Sequence, residues 1–224
     1  MILSRKKKYL QIALNSNLSE ARSIIYQLPI SDRIIVEAGT PLIKEFGINA
    51  IHYIKQTWAA RIGYAFEPYI VADLKTMDRA DREVALAKAG GASAAVCLGL
   101  APVETVNRFI EECANQGLDS MVDMMNVEYP IKILRQYRKQ PDVIILHRGV
   151  DEEIFNKQKP IPYVQIHKIR SSYTAMISIA GGDNIREVQR AIFNDANIVV
   201  VWKEFFNATG STAKLAEEFL KQIK

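Results

Sequence analysis

Cysteine and histidine are scarce in this sequence, with two cysteines and three histidines in 224 residues. Cys97 and Cys113 lack the spacing of metal ligands, so we do not expect them to hold a metal ion. One falls in a predicted strand and the other in a predicted helix. We therefore expect two buried free thiols in a protein of the reducing cytoplasm.

Long apolar runs are also missing. The basic stretch from Arg5 to Lys8 precedes only a short apolar segment, which Gln11 and Asn15 interrupt. This is neither a signal peptide nor a membrane span, so no membrane partner is expected. Lysine and arginine number 29 against 25 aspartates and glutamates. This small excess of basic residues argues weakly for an anionic ligand. No basic stripe interleaved with aromatic residues accompanies it, so nucleic acid is not the expected ligand.

Linkers and low-complexity segments are absent, and strand-like and helix-like segments alternate along the chain. Strands are predicted at Tyr9–Leu14, Arg33–Ala38, Tyr69–Ala72, Ser93–Leu98, Leu118–Asp123, Val143–Leu146, Ala175–Ile179 and Asn197–Val201. Alternation with eight helices predicts a single (β/α)8 barrel domain over residues 1–224. A doubly wound open sheet is the alternative, but it would leave edge strands exposed.

Capping and helix-breaking residues predict where several of these elements begin and end. Ser19 is a plausible N-cap of the first helix, and Gly117 is expected to stop the helix predicted at Val103–Gln116. The charged segment Asp151–Pro162 contains two prolines, and we predict a mobile loop there.

Three charged residues follow the apolar run Tyr69–Ala72. Asp73 and Lys75 are two residues apart, so their side chains leave an extended backbone on the same face, and Asp78 falls in the next loop. Buried strands tolerate charges poorly unless the charges pair or bind something. This pattern therefore indicates a functional site, and the alternative is an ion pair that closes a strand end.

Chemistry in such barrels takes place at the C-terminal ends of the strands. Polar residues collect at these predicted ends, namely Asn15, Glu37, Asp73, Lys75, Asp123, His147, Arg148, Gly181, Gly182 and Lys203. Glu37 and Asp73 lie on neighbouring strands, where two carboxylates and solvent oxygens would suit Mg²⁺. They could equally form an acid–base pair.

His147 is the histidine that falls at a strand end, whereas His52 and His167 are predicted in helices as surface or packing residues. An imidazole at that position suits general acid–base catalysis near neutral pH. Gly181 and Gly182 lead into a predicted helix, and such a turn can aim backbone N–H groups at a phosphate.

Four motifs carry a family resemblance over most of the chain: Glu37-Ala-Gly-Thr-Pro-Leu-Ile43, Val71-Ala-Asp-Leu-Lys-Thr-Met-Asp78, His147-Arg-Gly-Val-Asp151 and Ala180-Gly-Gly182. With them the chain resembles the orotidine-monophosphate decarboxylase superfamily, and most closely its 3-hexulose-6-phosphate synthase branch. Ketogulonate-phosphate decarboxylase is close by. The motif that begins at Glu37 resembles that of the synthase branch and differs from that of the nucleotide decarboxylases, which have a lysine in place of Glu37.

The resemblance implies an aldolase that joins formaldehyde to ribulose 5-phosphate or releases it. By that resemblance Glu37 and Asp73 would hold Mg²⁺, Lys75 would stabilise an enediolate oxygen, and His147 would move the proton. Such a metal ion and lysine would stabilise the charge that develops on the enediolate.

The resemblance also implies how the substrate and a second subunit are bound. Gly181 and Gly182 would bind the phosphate of the sugar. Family members are homodimers with shared active sites, and Asp78 would reach the active site of the partner.

Two positions depart from the pattern of the family. The first strand ends in Asn15 where the family has aspartate, which keeps hydrogen bonding near the substrate but removes a charge. The eighth strand runs into Trp202 and Lys203 where the family has Gly-Arg. Lys203 can bind phosphate as a point charge, although without the fork geometry of arginine. Asn15, Arg148 and Lys203 are therefore expected to contact the substrate.

These departures leave other functions open. One alternative is a relative with a remodelled phosphate pocket that decarboxylates a β-keto acid sugar phosphate or takes another anionic ligand. Another is a non-catalytic barrel kept for assembly with a partner protein. The charged strand-end residues, retained together, argue against a non-catalytic barrel.

Overall fold

Parallel strands form a closed barrel at the centre of the computed structural model, which describes residues 1–156, 158, 160–181, 185–201 and 212–223. The strands are β1 Tyr9–Leu14, β2 Ile34–Ala38, β3 Ile70–Thr76, β4 Ala94–Leu98, β5 Asp119–Asp123, β6 Val143–His147, β7 Met176–Ala180 and β8 Ile198–Val201. They pair in sequence order, and β8 pairs with β1. The predicted (β/α)8 barrel is therefore confirmed, and the open sheet is wrong because the sheet closes.

Helices follow the strands and surround the barrel. In the described part of the chain they are α1 Leu18–Gln27, α2 Thr40–Phe46, α3 Asn49–Ile62, α4 Ala80–Gly90, α5 Val103–Gln116, α6 Pro130–Leu134, α7 Val150–Phe155, α8 Val164–Arg170, α9 Ile185–Phe193 and α10 Thr212–Gln222. None of these described helices combines the length and apolar composition needed to cross a membrane. The main hydrophobic core lies between them and the outer face of the sheet.

Successive residues of each strand point alternately to the helix layer and to the barrel interior. Small and aliphatic side chains such as Ile35, Val71, Val96 and Ile145 fill the interior. The same alternation turns polar side chains inward near the C-terminal strand ends, namely Glu37, Asp73, Asp123 and His147, and it turns Gln11 inward from the middle of β1. These polar side chains therefore meet above an apolar filling.

The opposite end of the barrel is closed by a buried carboxylate. Asp119, at the start of β5, accepts hydrogen bonds from the backbone N–H groups of Ile2 (2.5 Å) and Leu3 (3.1 Å). The hydroxyl of Tyr69 donates to it as well, at 2.8 Å. The segment before β1 is thus fastened across the floor of the barrel.

Several predicted boundaries are confirmed and some are wrong. Helix α5 has the predicted ends, because Gly117 adopts a left-handed conformation (φ 68°) that suits glycine. Ser19 does not cap α1. The cap is Asn17, whose side-chain oxygen accepts a hydrogen bond from the backbone N–H of Glu20 at 2.9 Å.

The first half of the predicted loop Asp151–Pro162 is helix α7, so that prediction is wrong there. Three acidic residues occupy the first turn of α7, where the helix dipole favours negative charge. The carboxylate of Glu152 also accepts the backbone N–H of Gly149 at 3.2 Å. Residues 157 and 159 lie outside the described residues.

Cys97 in β4 and Cys113 in α5 are buried and free, as predicted. Burial raises the pKa of the Cys97 thiol to about 12, so this thiol is not a nucleophile at neutral pH.

Candidate active site

A cavity of about 410 Å³ opens at the C-terminal ends of the strands. The predicted site residues that line it are Asn15, Glu37, Asp73, Lys75, His147, Arg148 and Gly181. Gln11, Thr40, Asp123 and Met125 line it too. Barrel closure therefore brings together side chains that are far apart in the sequence.

Lys75 reaches the cavity from a distorted part of β3. The pairing of β3 with β4 shifts register between Ala72 and Thr76, and Lys75 has a positive φ of 48°. A left-handed conformation is uncommon for a residue other than glycine and is often found at functional sites. The expected extended backbone is wrong here, yet the Lys75 ammonium still contacts Asp73.

The Lys75 ammonium lies between two carboxylates. Its Nζ is 2.9 Å from Oδ2 of Asp73 and 3.3 Å from Oδ2 of Asp123. The hydroxyl oxygen of Thr40 lies 2.7 Å from the carbonyl oxygen of Asp73 and 2.9 Å from its Oδ2, so one hydroxyl proton is shared between these two acceptors. The predicted Asp73–Lys75 ion pair thus exists, and it faces the cavity.

Asp123 connects Lys75 to His147. Its Oδ2 is 2.7 Å from Nδ1 of His147, and its Oδ1 accepts the backbone N–H of Met125 at 2.9 Å. An ionised carboxylate only accepts hydrogen bonds, so Nδ1 of His147 carries a proton. Nε2 is therefore the ring nitrogen available to a ligand in the cavity.

Opposite charges set the protonation of this chain of groups. Burial by itself would raise the pKa of Asp123, but the charge and hydrogen bond of His147, followed by the charge of Lys75, lower it. Burial would likewise lower the pKa of Lys75 and of His147, whereas nearby aspartates raise both, Asp73 first for Lys75 and Asp123 first for His147. The ammonium is therefore charged at neutral pH, and the imidazole gains a proton more readily than usual.

Glu37 has the opposite environment. It is buried on β2, and burial, followed by the negative charge of Asp73, raises its pKa to about 8. The amide Nε2 of Gln11 donates to its Oε2. Two carboxylates thus face one cavity, and the second negative charge is unfavourable unless a cation is present.

A divalent ion would relieve this repulsion. No cluster of three or more histidine, cysteine, aspartate or glutamate side chains suited to a metal was found in the described part of the chain. Glu37 and Asp73 therefore offer a pair of carboxylates. Mg²⁺ commonly binds through one or two carboxylates together with water and substrate oxygens, so this donor set fits Mg²⁺.

The other side of the cavity is cationic. Arg148, at the end of β6, donates from Nη2 to the carbonyl oxygen of Gly181 at 2.9 Å and lies 3.9 Å from a carboxylate oxygen of Glu153. Gly181 has φ of 100°, and a Cβ there would come within 2.3 Å of the Arg148 carbonyl oxygen. Only glycine allows this approach, which places the ends of β6 and β7 against each other.

Asn15 lies at the rim as predicted. The side chain of Asn15 fills the space that a Cβ on Gly39 would need, with its Oδ1 at 1.8 Å from that position. The conformation of the β1 end therefore depends on glycine at residue 39.

Three predicted site residues are not placed in the cavity. Asp78 is exposed and is not among its described lining residues. Gly182 and Lys203 lie outside the described residues, as does Trp202.

The sequence predicts no role for Asp123 or Gln11, although both line the cavity. The signal available for Asp123 is its position at the end of the fifth strand. Gln11 offers no signal beyond its interruption of an apolar run.

Residues 8–214 match the model of the orotidine 5'-phosphate decarboxylase / HUMPS family. The chain belongs to this family. It is 35% identical over 220 residues to the bifunctional enzyme Fae/Hps of Methanocella arvoryzae, covering 96% of this chain and 53% of that protein. The bifunctional enzyme Fae/Hps of Methanocaldococcus jannaschii is 39% identical over 194 residues, which is 86% of this chain and 46% of that one.

This family member spans about half the length of the curated relatives it matches. Among solved structures, the 3-hexulose-6-phosphate synthase from Salmonella typhimurium superposes with a TM-score of 0.83 at 25% identity. That match covers 96% of this chain and 98% of the other. The similarity therefore extends over almost the whole barrel.

Proposed function

We propose that this family member is a divalent-cation-dependent aldolase of the hexulose-6-phosphate synthase type, which joins formaldehyde to ribulose 5-phosphate or releases it through an enediolate. The observation that carries the proposal is the continuous chain from Lys75 through Asp123 to His147, which lines one cavity together with Glu37 and Asp73. The relatives named Fae/Hps and the superposed synthase support it.

His147 is proposed to move the proton. Asp123 holds the Nδ1–H group, so a neutral imidazole presents Nε2 as a base to the carbon beside the sugar carbonyl. The C–H electron pair moves toward the carbonyl, and the carbonyl oxygen gains negative charge. Asp123 stabilises the imidazolium that results, as the third member of a catalytic triad does.

Lys75 is proposed to stabilise the enediolate. The charges of Asp73 and Asp123 keep its ammonium protonated, so it can donate a hydrogen bond to the developing oxyanion. Its backbone is held by the distortion of β3, and its ammonium is held by two carboxylates. The donor is thus positioned before the substrate arrives.

The aldol step then follows. The enediolate carbon attacks the carbon of formaldehyde, and a C–C bond forms while the formaldehyde C=O bond opens. The new alkoxide takes the proton that His147 carries. The reverse sequence releases formaldehyde.

Glu37 and Asp73 are proposed to hold Mg²⁺. When bound, the ion would act as a Lewis acid for the oxygens of the sugar. In its absence the two residues repel each other, which is the physical reason why the pKa of Glu37, already raised by burial, rises further.

Arg148 is proposed to attract the phosphate. It lines the cavity beside Gly181, and a guanidinium suits bidentate contact with phosphate oxygens. This residue supplies positive charge within the described part of the site, whatever Lys203 contributes.

A homodimer with shared active sites remains our prediction, with Asp78 reaching the cavity of the partner. Asp78 is exposed, which leaves it available for such a contact. Mixing Asp78→Ala chains with Lys75→Ala chains should restore part of the activity, because hybrid dimers contain one intact site. Sedimentation of the protein as a monomer at micromolar concentration would contradict this prediction.

The direct assay is formaldehyde consumption with ribulose 5-phosphate and Mg²⁺. We expect consumption that stops on addition of a chelator and resumes with excess Mg²⁺. His147→Gln should lower the rate by about 100-fold or more. His167→Gln on helix α8 is the matched control and should leave the rate unchanged. Consumption that is absent in the wild type, or insensitive to the chelator, would contradict the proposal.

A further inference from the structure

Gln11 is a buried amide in a part of the barrel where aliphatic side chains are usual. It lies in the middle of β1, is 1% exposed, and lines the cavity from within. Residues on alternate strands form one layer of a barrel interior, and the strand register places Gln11 in a layer with Val71, Met121 and Ser178, of which Val71 and Met121 are apolar. Bulky apolar residues dominate such layers, so an amide here calls for an explanation.

Stability does not explain Gln11. Its Nε2 donates to Oε2 of Glu37, but its own Oε1 has no hydrogen-bond partner among the described residues. A buried acceptor without a partner costs free energy of folding, and a leucine of similar size would avoid that cost. Within the part of the chain that the structure describes, the hydrogen bond to Glu37 is the one polar contact that the amide makes and a leucine could not make.

That contact is directional. An amide N–H only donates, so it fixes the carboxylate oxygen that faces Gln11. Oε1 of Glu37 is not engaged by this hydrogen bond, and Glu37 lines the cavity together with Asp73. Without the amide, Glu37 could turn about its side-chain bonds, and the two carboxylates would no longer be held as a pair.

We propose that Gln11 is a positioning residue that orients the Glu37 carboxylate for a divalent cation. This inference rests on the cation-binding part of the proposed function. It adds Gln11, which lies below the polar rim, to Glu37 and Asp73 as a residue that determines cation affinity. Gln11 acts through Glu37 and not by touching the cation itself.

Binding of Mn²⁺ to the substrate-free protein tests this, with free Mn²⁺ followed by electron paramagnetic resonance. We expect Gln11→Leu to weaken Mn²⁺ binding about tenfold or more, which is the worth of a hydrogen bond to a charged group. Met121→Leu changes an apolar member of the same layer and should leave binding unchanged. Circular dichroism and thermal unfolding establish that each variant is folded, and Gln11→Met replaces Gln11→Leu if the latter does not fold.

The decisive comparison is a double-mutant cycle, because it measures whether the effect of Gln11 on Mn²⁺ affinity depends on the carboxylate of Glu37. If Gln11 acts through Glu37, the double variant Gln11→Leu/Glu37→Gln binds Mn²⁺ as weakly as Glu37→Gln alone. Independent, additive losses would overturn the inference. So would a Gln11→Leu protein that binds as tightly as the wild type.

The same measurements separate this inference from the proposed function. If the wild type binds Mn²⁺ through Glu37 but consumes no formaldehyde, the proposed reaction fails while the role of Gln11 is still decided by the cycle. If the wild type binds no Mn²⁺ at all, the inference about Gln11 is overturned.

Discussion

Asp119 and Asp123 stand at opposite ends of β5, point into the same barrel and are equally buried (0% and 1% exposed). Asp119 accepts hydrogen bonds from two backbone N–H groups and the hydroxyl of Tyr69, and the amino group of Met1 lies 3.7 Å from its Oδ1. Asp123 is surrounded by a lysine and a histidine. The residue type and burial are alike, so the partners alone separate the two.

The difference follows from what the partners can do. The hydrogen-bond donors to Asp119 belong to Ile2, Leu3 and Tyr69, which do not line the cavity, so Asp119 fastens the segment before β1 to the floor of the barrel. Lys75 and His147 are titratable and line the cavity, so Asp123 holds in place the two groups to which the proposed function assigns the oxyanion contact and the proton transfer. In the proposed function the C-terminal rim of the barrel therefore holds the reacting groups, and the N-terminal floor contributes to the stability of the fold, as is usual for this architecture.

The largest effect in this comparison is expected for Asp123→Asn. The synthesis rate should fall about 100-fold or more, because the imidazole loses the carboxylate that orients and charges it. The Asp123 charge raises the pKa of His147, so its removal lowers that pKa. The acid limb of the pH–rate profile, which reports neutral imidazole, should move to lower pH.

Asp119→Asn is the matched control for that pH profile. The same chemical change on the same strand should leave the acid limb where it is. An equal shift in both variants would mean that the limb does not report the Asp123–His147 pair.

The next effect is expected for Asp119→Ala, and it concerns stability. The free energy of unfolding should fall by about 3 kcal/mol, because three donors, two of them in buried hydrogen bonds, lose their acceptor. This corresponds to a melting temperature lower by roughly 6–12 °C for a chain of this size. The rate per folded molecule should be unchanged, and Tyr69→Phe should cost only about 1 kcal/mol. A lost rate with normal stability would reverse the assignment of floor and rim.

The smallest effect is expected for Glu37→Gln in metal-free protein. The folded-state pKa of Glu37 is about 8, above its ordinary 4.5. Its contribution to stability is therefore full below pH 4.5 and is lost as pH rises toward 8. Glutamine has no charge to lose, so at pH 9 the variant should melt at a higher temperature than the wild type.

Mg²⁺ sharpens that last prediction. The ion should raise the melting temperature of the wild type at pH 9 and have little effect on Glu37→Gln. A variant that is less stable than the wild type without metal would show that Glu37 is a structural residue.

The sequence predicted the fold well because its signals are local. The apolar runs and the alternation of strand-like and helix-like patterns predicted every strand, and β1 has the predicted bounds. Helix α5 ends as predicted because a single glycine determines where it stops. The cap of α1 was wrong because Asn17 and Ser19 are both good caps, and the choice depends on how the chain leaves β1.

The candidate site was predicted in part. Glu37, Asp73, Lys75 and His147 were found because they are charged or titratable residues at strand ends. The role of Asp123 could not be predicted, because its partners are 48 and 24 residues away in the sequence and meet only when the barrel closes. The positive φ of Lys75 likewise has no sequence signal, since glycine is absent there.

Proton exchange at the sugar tests the central claim most directly, because it isolates enediolate formation from the aldol step. Ribulose 5-phosphate would be incubated with protein and Mg²⁺ in deuterium oxide without formaldehyde, and the hydroxymethyl carbon beside the carbonyl followed by proton nuclear magnetic resonance. We expect loss of that proton signal with the wild type, and none with Lys75→Ala or His147→Gln. A wild-type protein that consumes formaldehyde without exchange, or exchange that persists in both variants, would contradict the roles given to Lys75 and His147.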